Sequence, residues 1–213
     1  MEAKTGGLFL IGIIDYGAGN LTSVIGAFRY LGCEAKIIDN AVSLDACTHI
    51  VLPGVGAFSD GMNELHKRRL VEPMTEKVLG HSTPFLGICL GAQLMATQGH
   101  EGDRCPGLGW IEADVISLRP DDPALALPHV GWNDFHITQR TPLFDGISEA
   151  PLFYFVHSYH IRPRNETLIT GTCNYGQNFV AALHQGNIHA VQFHPEKSQK
   201  DGLRILQNFL TFS

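Results

Sequence analysis

The first candidate for chemistry is a cysteine at the junction of a predicted strand and a predicted helix. Residues 85–91 read Phe-Leu-Gly-Ile-Cys-Leu-Gly, and a helical pattern begins directly after the apolar run. This is the layout of a nucleophile elbow, in which the reactive atom projects from a sharp turn between small residues. The N–H of Leu90, at the start of the helix, would point towards an oxyanion. The motif predicts Cys89 as a nucleophile, with a buried structural cysteine as the alternative.

A histidine and a glutamate two positions apart could supply the proton transfer that a cysteine nucleophile needs. Residues 190–196 read Ala-Val-Gln-Phe-His-Pro-Glu, a strand pattern that ends at His194. A base needs an acceptor on one ring nitrogen so that the other can face the nucleophile, and Glu196 is placed to be that acceptor. Alone, the segment could be a strand-terminating turn. Together with Cys89 it is more specific, because open α/β sheets gather their sites at strand ends.

A glycine-containing loop follows another predicted strand. Residues 52–56 read Leu-Pro-Gly-Val-Gly, and Gly54 and Gly56 would let the backbone approach a substrate closely. The Val55 N–H could then turn towards the oxyanion. By itself the segment is weak evidence, since a simple Pro-Gly turn is its default interpretation.

The composition disfavours several classes of protein. The chain has 213 residues, a net charge of −6 and one short basic cluster, Lys67–Arg69, so no nucleic-acid partner is predicted. Its 11 histidines and 5 cysteines lack the spacing of a zinc site or a Cys-x-x-Cys pair, and neither a metal nor a cofactor is predicted. The apolar run Leu8–Ile14 is too short for a signal peptide, and no segment reaches the ~18–20 apolar residues of a membrane span. We expect reduced thiols, a cytoplasmic location and no membrane partner.

The secondary-structure elements that must position these residues alternate between strands and helices in the first half of the chain. In the second half they are mostly strands. Apolar strands are predicted at residues 8–15, 34–38, 49–52 and 84–88, with helices between them and a helix over 90–98. Further strands are predicted at 110–118, 134–138, 152–162, 168–173, 179–184 and 188–193, followed by a last helix. We therefore predict an α/β fold with a central, mostly parallel sheet flanked by helices and a strand-rich second half. Residues 8–213 would form a single domain, and residues 1–7 an N-terminal extension.

Taken together, the motifs resemble the class I, triad-type glutamine amidotransferases, whose fold is flavodoxin-like. The resemblance covers roughly Leu8 to Phe212. Four further segments are similar to the glutaminase subunits of imidazole glycerol phosphate synthases: Ile-Asp-Tyr-Gly-Ala-Gly-Asn from residue 14, Pro-His-Val-Gly-Trp-Asn from 128, Tyr-Phe-Val-His-Ser-Tyr from 154 and His-Pro-Glu-Lys-Ser-Gln from 194. The resemblance implies that glutamine is hydrolysed to glutamate and ammonia.

The resemblance also implies roles for individual residues. Cys89, His194 and Glu196 would form a catalytic triad, and Val55 would belong to an oxyanion strand that must reorient for activity. The positions expected to bind or border glutamine are Gly54, Gly56, Gln93, Ser158 and Tyr159. Ammonia would pass through a tunnel to a (β/α)8-barrel cyclase subunit, in a heterodimer that makes imidazole glycerol phosphate and an aminoimidazole carboxamide ribotide for histidine biosynthesis. The positions expected to face that partner or the tunnel are Asn20, Trp132, Asn133, Tyr154 and Lys197.

Three alternatives remain open from the sequence. A related amidotransferase could supply ammonia to a different synthase. A catalytically silent binding subunit could share the fold, although it would have no reason to retain Cys89, His194 and Glu196 together. A cysteine hydrolase or peptidase of similar fold is disfavoured by the Pro-Gly-Val-Gly loop and by Gln93.

Overall fold

Three sheets and six α-helices make up the fold among residues 10–212, which are the residues described by the structure, a computed structural model. The predicted extension at residues 1–7 and the first two residues of the strand predicted from Leu8 lie outside this range. The strands are β1 (Leu10–Ile14), β2 (Glu34–Ile38), β3 (His49–Gly54), β4 (Phe85–Cys89), β5 (Ala96–Gly99), β6 (Cys105–Pro106), β7 (Ile111–Ser117), β8 (His129–Asp134), β9 (His136–Ile137), β10 (Leu152–His157), β11 (Tyr159–Pro163), β12 (Ile169–Asn174), β13 (Asn178–Gln185) and β14 (Ile188–Val191). The α-helices are α1 (Leu21–Tyr30), α2 (Ala41–Leu44), α3 (Phe58–Lys67), α4 (Val71–Thr75), α5 (Leu90–Leu94) and α6 (Gln199–Phe209). Short π- or 3₁₀-helical turns lie at Glu76–Gly80, Pro142–Phe144, Glu166–Leu168 and Pro195–Lys197.

The largest sheet carries the strand ends at which the candidate site lies. Its order is β2-β1-β3-β4-β14-β13-β12-β9; neighbours among the first five strands are parallel, and the last three join antiparallel. β3, β4 and β14 are buried along their whole length, as expected for parallel strands covered on both faces. The predicted α/β fold with a mostly parallel central sheet is confirmed.

Apolar layers pack on opposite faces of this sheet. Alternation along β3 shows the division, because Ile50 and Leu52 belong to one cluster and Val51 to the other. The first cluster includes the buried side of α3 and α4, and the second includes that of α1 and α6, with Phe28 and Phe209 fully buried. The helices therefore fix the sheet from both sides and hold its strand ends in register.

The second half of the chain adds two smaller sheets, which confirms the predicted strand-rich region. β11, β7, β5 and β6 form a four-stranded sheet, and β8 pairs with β10 in an antiparallel ribbon. The register of the ribbon places Trp132 opposite Tyr154 and Val130 opposite Val156. Because the Val156 carbonyl lies 3.7 Å from the Cys89 sulfur, the ribbon contacts the end of β4 directly.

The long helix predicted after the elbow is wrong in its second half. α5 ends at Leu94, and Ala96–Gly99 forms β5, which pairs with β6 and β7. The Met95 carbonyl accepts from the N–H groups of both Trp110 and Ile111 at 3.0 Å. A carbonyl that would continue the helix is thus occupied by a distant segment, and tertiary pairing overrides the local pattern.

One predicted strand is divided in the structure, and another is shorter than expected. The strand predicted over residues 152–162 divides at Ser158, after which β10 stays in the ribbon and β11 joins the four-stranded sheet. At this crossing the Ser158 carbonyl accepts from the Leu118 N–H at 2.8 Å. β14 ends at Val191, so His194 lies in the turn that follows the strand.

Candidate active site

Cys89 occupies a strained turn between β4 and α5. Its φ of +54° and ψ of −111° lie in a region that residues other than glycine rarely adopt. A Cβ atom at Gly87 would lie 2.8 Å from the Cα of Ala92, and one at Gly91 would collide with the Leu52 carbonyl. Both glycines of the motif are therefore required by close backbone approach, as in a nucleophile elbow.

His194 and Glu196 form a buried hydrogen-bonded pair. The Nδ1 atom of His194 lies 2.8 Å from Oε1 of Glu196, and the two side chains are 3% and 2% exposed. The Ser198 hydroxyl donates to the His194 carbonyl at 2.6 Å and fixes the turn that carries the pair. With Nδ1 engaged, Nε2 is the ring nitrogen left to serve the Cys89 sulfur, since it has no partner of standard hydrogen-bond geometry among residues 10–212.

The charges around His194 set its protonation state. Burial by itself would lower the pKa of the imidazole, but interactions with the Cys89 sulfur and the Glu196 carboxylate raise it to about 10. His194 is therefore protonated at neutral pH, beside a sulfur that is nucleophilic as the thiolate. The arrangement can hold the thiol proton on the imidazole and return it to a leaving group.

The Pro-Gly-Val-Gly loop lies beside the elbow. Gly54, the last residue of β3, is the register partner of Cys89. A Cβ atom at Gly54 would lie 2.9 Å from the Cβ of Leu90, so only glycine lets the strand and α5 approach so closely. Val55 is 42% exposed and Gly56 has a φ of +110°. The loop and the first residue of α5 therefore border the same space at Cys89.

A pocket of about 210 Å³ opens at this point. The wall residues that were predicted from the sequence are Val55, Gly56, Cys89, Leu90, Gln93, Ser158 and Tyr159. The wall residues that were not predicted are Glu101, Pro128, Val156 and His157. Gly54 is buried, and neither it nor the His194–Glu196 pair belongs to this wall.

A second glutamine near Cys89 was missed by the sequence analysis. Gln93 is only 6% exposed, and its Nε2 donates to the Tyr159 carbonyl at 2.8 Å and to Oε1 of Gln192 at 3.0 Å. Gln192 in turn donates from Nε2 to the Cys89 sulfur at 3.6 Å. The available signal was a polar residue inside the apolar run 190–193, since buried polar groups are normally hydrogen-bonded.

Glu101 also escaped the sequence analysis, because it stands in a polar loop with no local pattern. Its Oε2 accepts from the Phe58 N–H at 2.8 Å, at the start of α3. Only the fold brings residues 58 and 101 together. Glu101 thereby holds the start of α3 at the edge of the pocket.

Three of the residues that the resemblance assigns to a partner form one exposed cluster. Trp132 is 46% exposed, and its ring centroid lies 6.1 Å from that of Tyr154. The Lys197 ammonium lies 5.4 Å from the centre of the Tyr154 ring. The cluster combines the ribbon with the turn after His194, so a partner seated here would lie close to the elbow.

The two asparagines assigned to the same face use their side chains within the chain. Asn20 accepts from the Ser23 N–H at 3.3 Å and caps α1. Asn133 donates from Nδ2 to the Asn174 carbonyl at 2.8 Å and lies 3.2 Å from Nε2 of His129. Their first role in the described chain is therefore structural.

Metal-binding and membrane-spanning features are absent from residues 10–212. No three His, Cys, Asp or Glu side chains in that range are grouped so as to hold a metal ion. None of its helices has both the length and the apolar character needed to cross a membrane.

Comparison with known proteins gives relatives over almost the whole chain. The family described as Glutamine amidotransferase class-I matches residues 12–212. "Imidazole glycerol phosphate synthase subunit HisH 1" of Campylobacter jejuni is 43% identical over 201 residues, covering 94% of this chain and 99% of the relative. "Imidazole glycerol phosphate synthase subunit HisH" of Ruegeria pomeroyi is 44% identical over 210 residues, covering 96% of this chain and 99% of the relative.

Solved structures share the fold at lower identity. A crystal structure of a glutamine amidotransferase superposes with a TM-score of 0.74 at 20% identity, covering 96% of this chain and 98% of that chain. The structure of PurLQS from Thermotoga maritima superposes with a TM-score of 0.74 at 15% identity, covering 96% and 99%. At these identities the likeness concerns the architecture alone.

Proposed function

The chain belongs to the class-I glutamine amidotransferase family and, within it, to the imidazole glycerol phosphate synthase subunits of histidine biosynthesis, and on that premise we propose how it works. It hydrolyses glutamine to glutamate and ammonia, with Cys89 as nucleophile, His194 as proton carrier and Glu196 as the group that orients His194. The observation that carries this proposal is the buried 2.8 Å His194–Glu196 hydrogen bond beside a cysteine held in a strained turn.

The reaction has two halves. With the Cys89 proton held on His194, the thiolate sulfur attacks the side-chain amide carbon of glutamine, which forms a C–S bond and an oxyanion. When the oxyanion collapses, the C–N bond breaks and His194 gives its proton to the departing ammonia. Water, deprotonated by His194, then attacks the thioester and releases glutamate. Proton transfer of this kind typically contributes about 10²–10⁴-fold.

Backbone N–H groups stabilise the oxyanion in this proposal. Leu90 is the first residue of α5, so its N–H has no acceptor within the helix. The Val55 N–H would be the second donor, and each such donor is typically worth about 10²–10³-fold. The substrate backbone would be held by side chains and peptide groups at the pocket wall and beneath it: Gly54, Gly56, Gln93, Ser158 and Tyr159.

The ammonia passes to a second subunit in the proposed assembly. That subunit is a (β/α)8-barrel cyclase, and the pair forms a cytoplasmic heterodimer that makes imidazole glycerol phosphate and an aminoimidazole carboxamide ribotide. The exposed cluster of Trp132, Tyr154 and Lys197 supports a docking surface here, because tryptophan and tyrosine are enriched at protein–protein interfaces, and Lys197 lies over the Tyr154 ring. Asn20 and Asn133 would border the same surface. Residues 8–213 form the domain in this proposal, and residues 1–7 an extension.

Partner docking would also switch the glutaminase on. Val55 stands in a loop between two glycines, and Gly56 already has a positive φ, so the Val55 peptide can turn without a side-chain clash. We expect a slow isolated chain and a faster one with the cyclase and its bound acceptor. Glutamate release with and without these additions measures the effect, and equal rates would remove the idea.

One mixture tests the function as a whole. The chain is combined with the candidate cyclase, its formimino intermediate and glutamine, and glutamate and cyclised product are followed together. Glutamate release that survives Cys89→Ala would remove the proposed nucleophile. Glutamate release without any stimulation of product formation would favour a different synthase as the partner.

A further inference from the structure

A buried amide contacts the Cys89 sulfur inside the protein. Gln192 is 2% exposed and directly follows β14, which is paired with β4 through Val191 and Ile88. This register places the Gln192 side chain at the end of β4, with Nε2 3.6 Å from the Cys89 sulfur. The contact is therefore set by the central sheet rather than by a mobile loop.

The orientation of this amide follows from its neighbours. The Tyr159 carbonyl can only accept, so the group of Gln93 that lies 2.8 Å from it must be the NH₂ group. The same NH₂ lies 3.0 Å from the Gln192 amide, which must therefore present its oxygen to Gln93. The Gln192 NH₂ is consequently the end that faces Cys89.

The Cys89 sulfur has two polar contacts, one of which favours the thiol and the other the thiolate. The Val156 carbonyl, 3.7 Å away, can accept from the thiol but repels a thiolate. The Gln192 NH₂ donates to the thiolate, and hydrogen bonds to charged groups are about twice as strong as neutral ones. The balance between these two contacts bears directly on how readily the buried sulfur loses its proton.

We propose that Gln192 is a positioning residue for the nucleophile: its NH₂ holds the Cys89 sulfur and stabilises it as the thiolate, while Gln93 holds the amide in the required orientation. The proposal rests on the role of Cys89 proposed above. Gln192 thus complements His194, which receives the proton but does not fix the direction of the sulfur. In this proposal Gln93 has a second role besides substrate binding, which is to orient the Gln192 amide.

Two substitutions separate the donor from the rest of the side chain. Gln192→Glu keeps the length and an acceptor for Gln93 but removes the donor and adds negative charge beside the sulfur. Gln192→Met keeps the volume and removes both hydrogen bonds without adding charge. We expect both to slow glutaminase turnover, by about 10- to 100-fold for the loss of a hydrogen bond to a charged group, with the larger loss in the Glu variant.

The deciding measurement is the pH dependence of Cys89 alkylation by iodoacetamide, followed on its own peptide by mass spectrometry. We expect the midpoint to rise by about one to two pH units in the Met variant and further in the Glu variant. Gln207→Glu makes the same amide-to-acid change at an exposed position and should leave the midpoint unchanged. An unchanged midpoint in folded Gln192 variants would overturn the proposal, whatever happens to turnover.

A measurement on the unmodified chain covers variants that fail to fold. The side-chain ¹⁵N–¹H signal of Gln192 should move as Cys89 is titrated, and Cys89→Ala should abolish that movement. A Gln192 signal that does not move as Cys89 is titrated would overturn the proposal. Because neither readout uses glutamine, a titrating Gln192 signal in a chain without glutaminase activity would count against the proposed function and leave the Gln192 contact standing.

Discussion

Two buried histidines near Cys89 have opposite electrostatic character. His194 is 3% exposed and His157 is 5% exposed, so they are about equally shielded from solvent. Burial dominates at His157 and lowers its pKa to about 3, whereas at His194 the effect of burial is outweighed by Cys89 and Glu196, which raise its pKa to about 10. Depth therefore does not decide whether a histidine carries charge; the chemistry of its neighbours does.

The hydrogen bonds around His157 keep two imidazole rings, those of His157 and His129, in the neutral form. The Tyr159 carbonyl can only accept, so Nδ1 of His157, 2.9 Å away, carries the hydrogen. Nε2 of His157 must then accept from Nδ1 of His129 at 3.1 Å, which leaves Nε2 of His129 to accept from Asn133 at 3.2 Å. A further proton on either ring would set two donors against each other. His157 is thus a fixed wall of the pocket, whereas the proposed mechanism requires a movable proton on His194.

The largest expected effect follows from removing that movable proton. We expect His194→Gln to reduce glutamine hydrolysis by about 10²–10⁴-fold, because an amide cannot carry a proton between sulfur and ammonia. Glutamate release by the assembled enzyme measures it. His184→Gln, at a half-buried position in β13 outside the pocket wall, is the control and should retain the rate. Retained activity in His194→Gln would exclude His194 from the mechanism.

A smaller loss is expected when His194 is kept and its carboxylate partner is neutralised. Glu196→Gln keeps the shape of the side chain, but the charge that helps to raise the pKa of His194 is gone, and its NH₂ group can favour the wrong tautomer. We expect a loss of turnover of up to about 10⁴-fold, the value typical of neutralising the carboxylate of such a triad, and below that of His194→Gln in the same assay. The pH profile of Cys89 alkylation should shift as the imidazole loses affinity for its proton; an unshifted profile would show that Glu196 does not set the charge of His194.

Acid should destabilise the fold through the neutral histidines. Burial lowers the pKa of His157 and of His189 to about 3, so between pH 6.5 and 3 the unfolded chain binds more protons than the folded one. The free energy of unfolding should therefore fall as pH drops below about 6.5, by up to about 1.4 kcal/mol per pH unit for each such histidine. Urea titrations at several pH values measure the slope.

One substitution tests this assignment. His157→Gln can still donate to the Tyr159 carbonyl but has no ring to protonate, so it should reduce the acid slope by about one proton. His136→Gln, at an exposed position, is the matched control and should keep the slope. A His157→Gln variant with the full acid slope would show that His157 does not resist protonation in the folded chain.

How far the sequence predicts the site depends on whether a residue acts through its local motif or through register. The Gly87–Gly91 elbow and the His194–Glu196 pair are local. The elbow lies at the predicted strand–helix junction, and His194 bonds to Glu196 as expected, although His194 lies in the turn after β14 and not at the end of the strand. Gln192 was missed because its contact with Cys89 exists only through the pairing of β14 with β4. The helix predicted beyond Leu94 was wrong for the same reason, since a distant segment occupies the backbone there.

The smallest expected effect concerns Asn133, which ends the hydrogen-bonded series that begins at His157 and passes through His129. Asn133→Ala removes the donor both to His129 and to the exposed Asn174 carbonyl and leaves a buried ring nitrogen unpaired, so we expect a loss of about 1 kcal/mol in the free energy of unfolding of the isolated chain. Asn178→Ala, at an exposed position where the side chain accepts from Nδ2 of Asn174 at 3.1 Å, is the control and should cost less. The pH profile of Cys89 alkylation should be unchanged in both variants, because the neutral histidines His129 and His157 place no charge near the sulfur. If Asn133→Ala shifted that profile as Glu196→Gln is expected to, the two histidine groups would be one coupled system, and the distinction between a fixed wall and a proton carrier would fail.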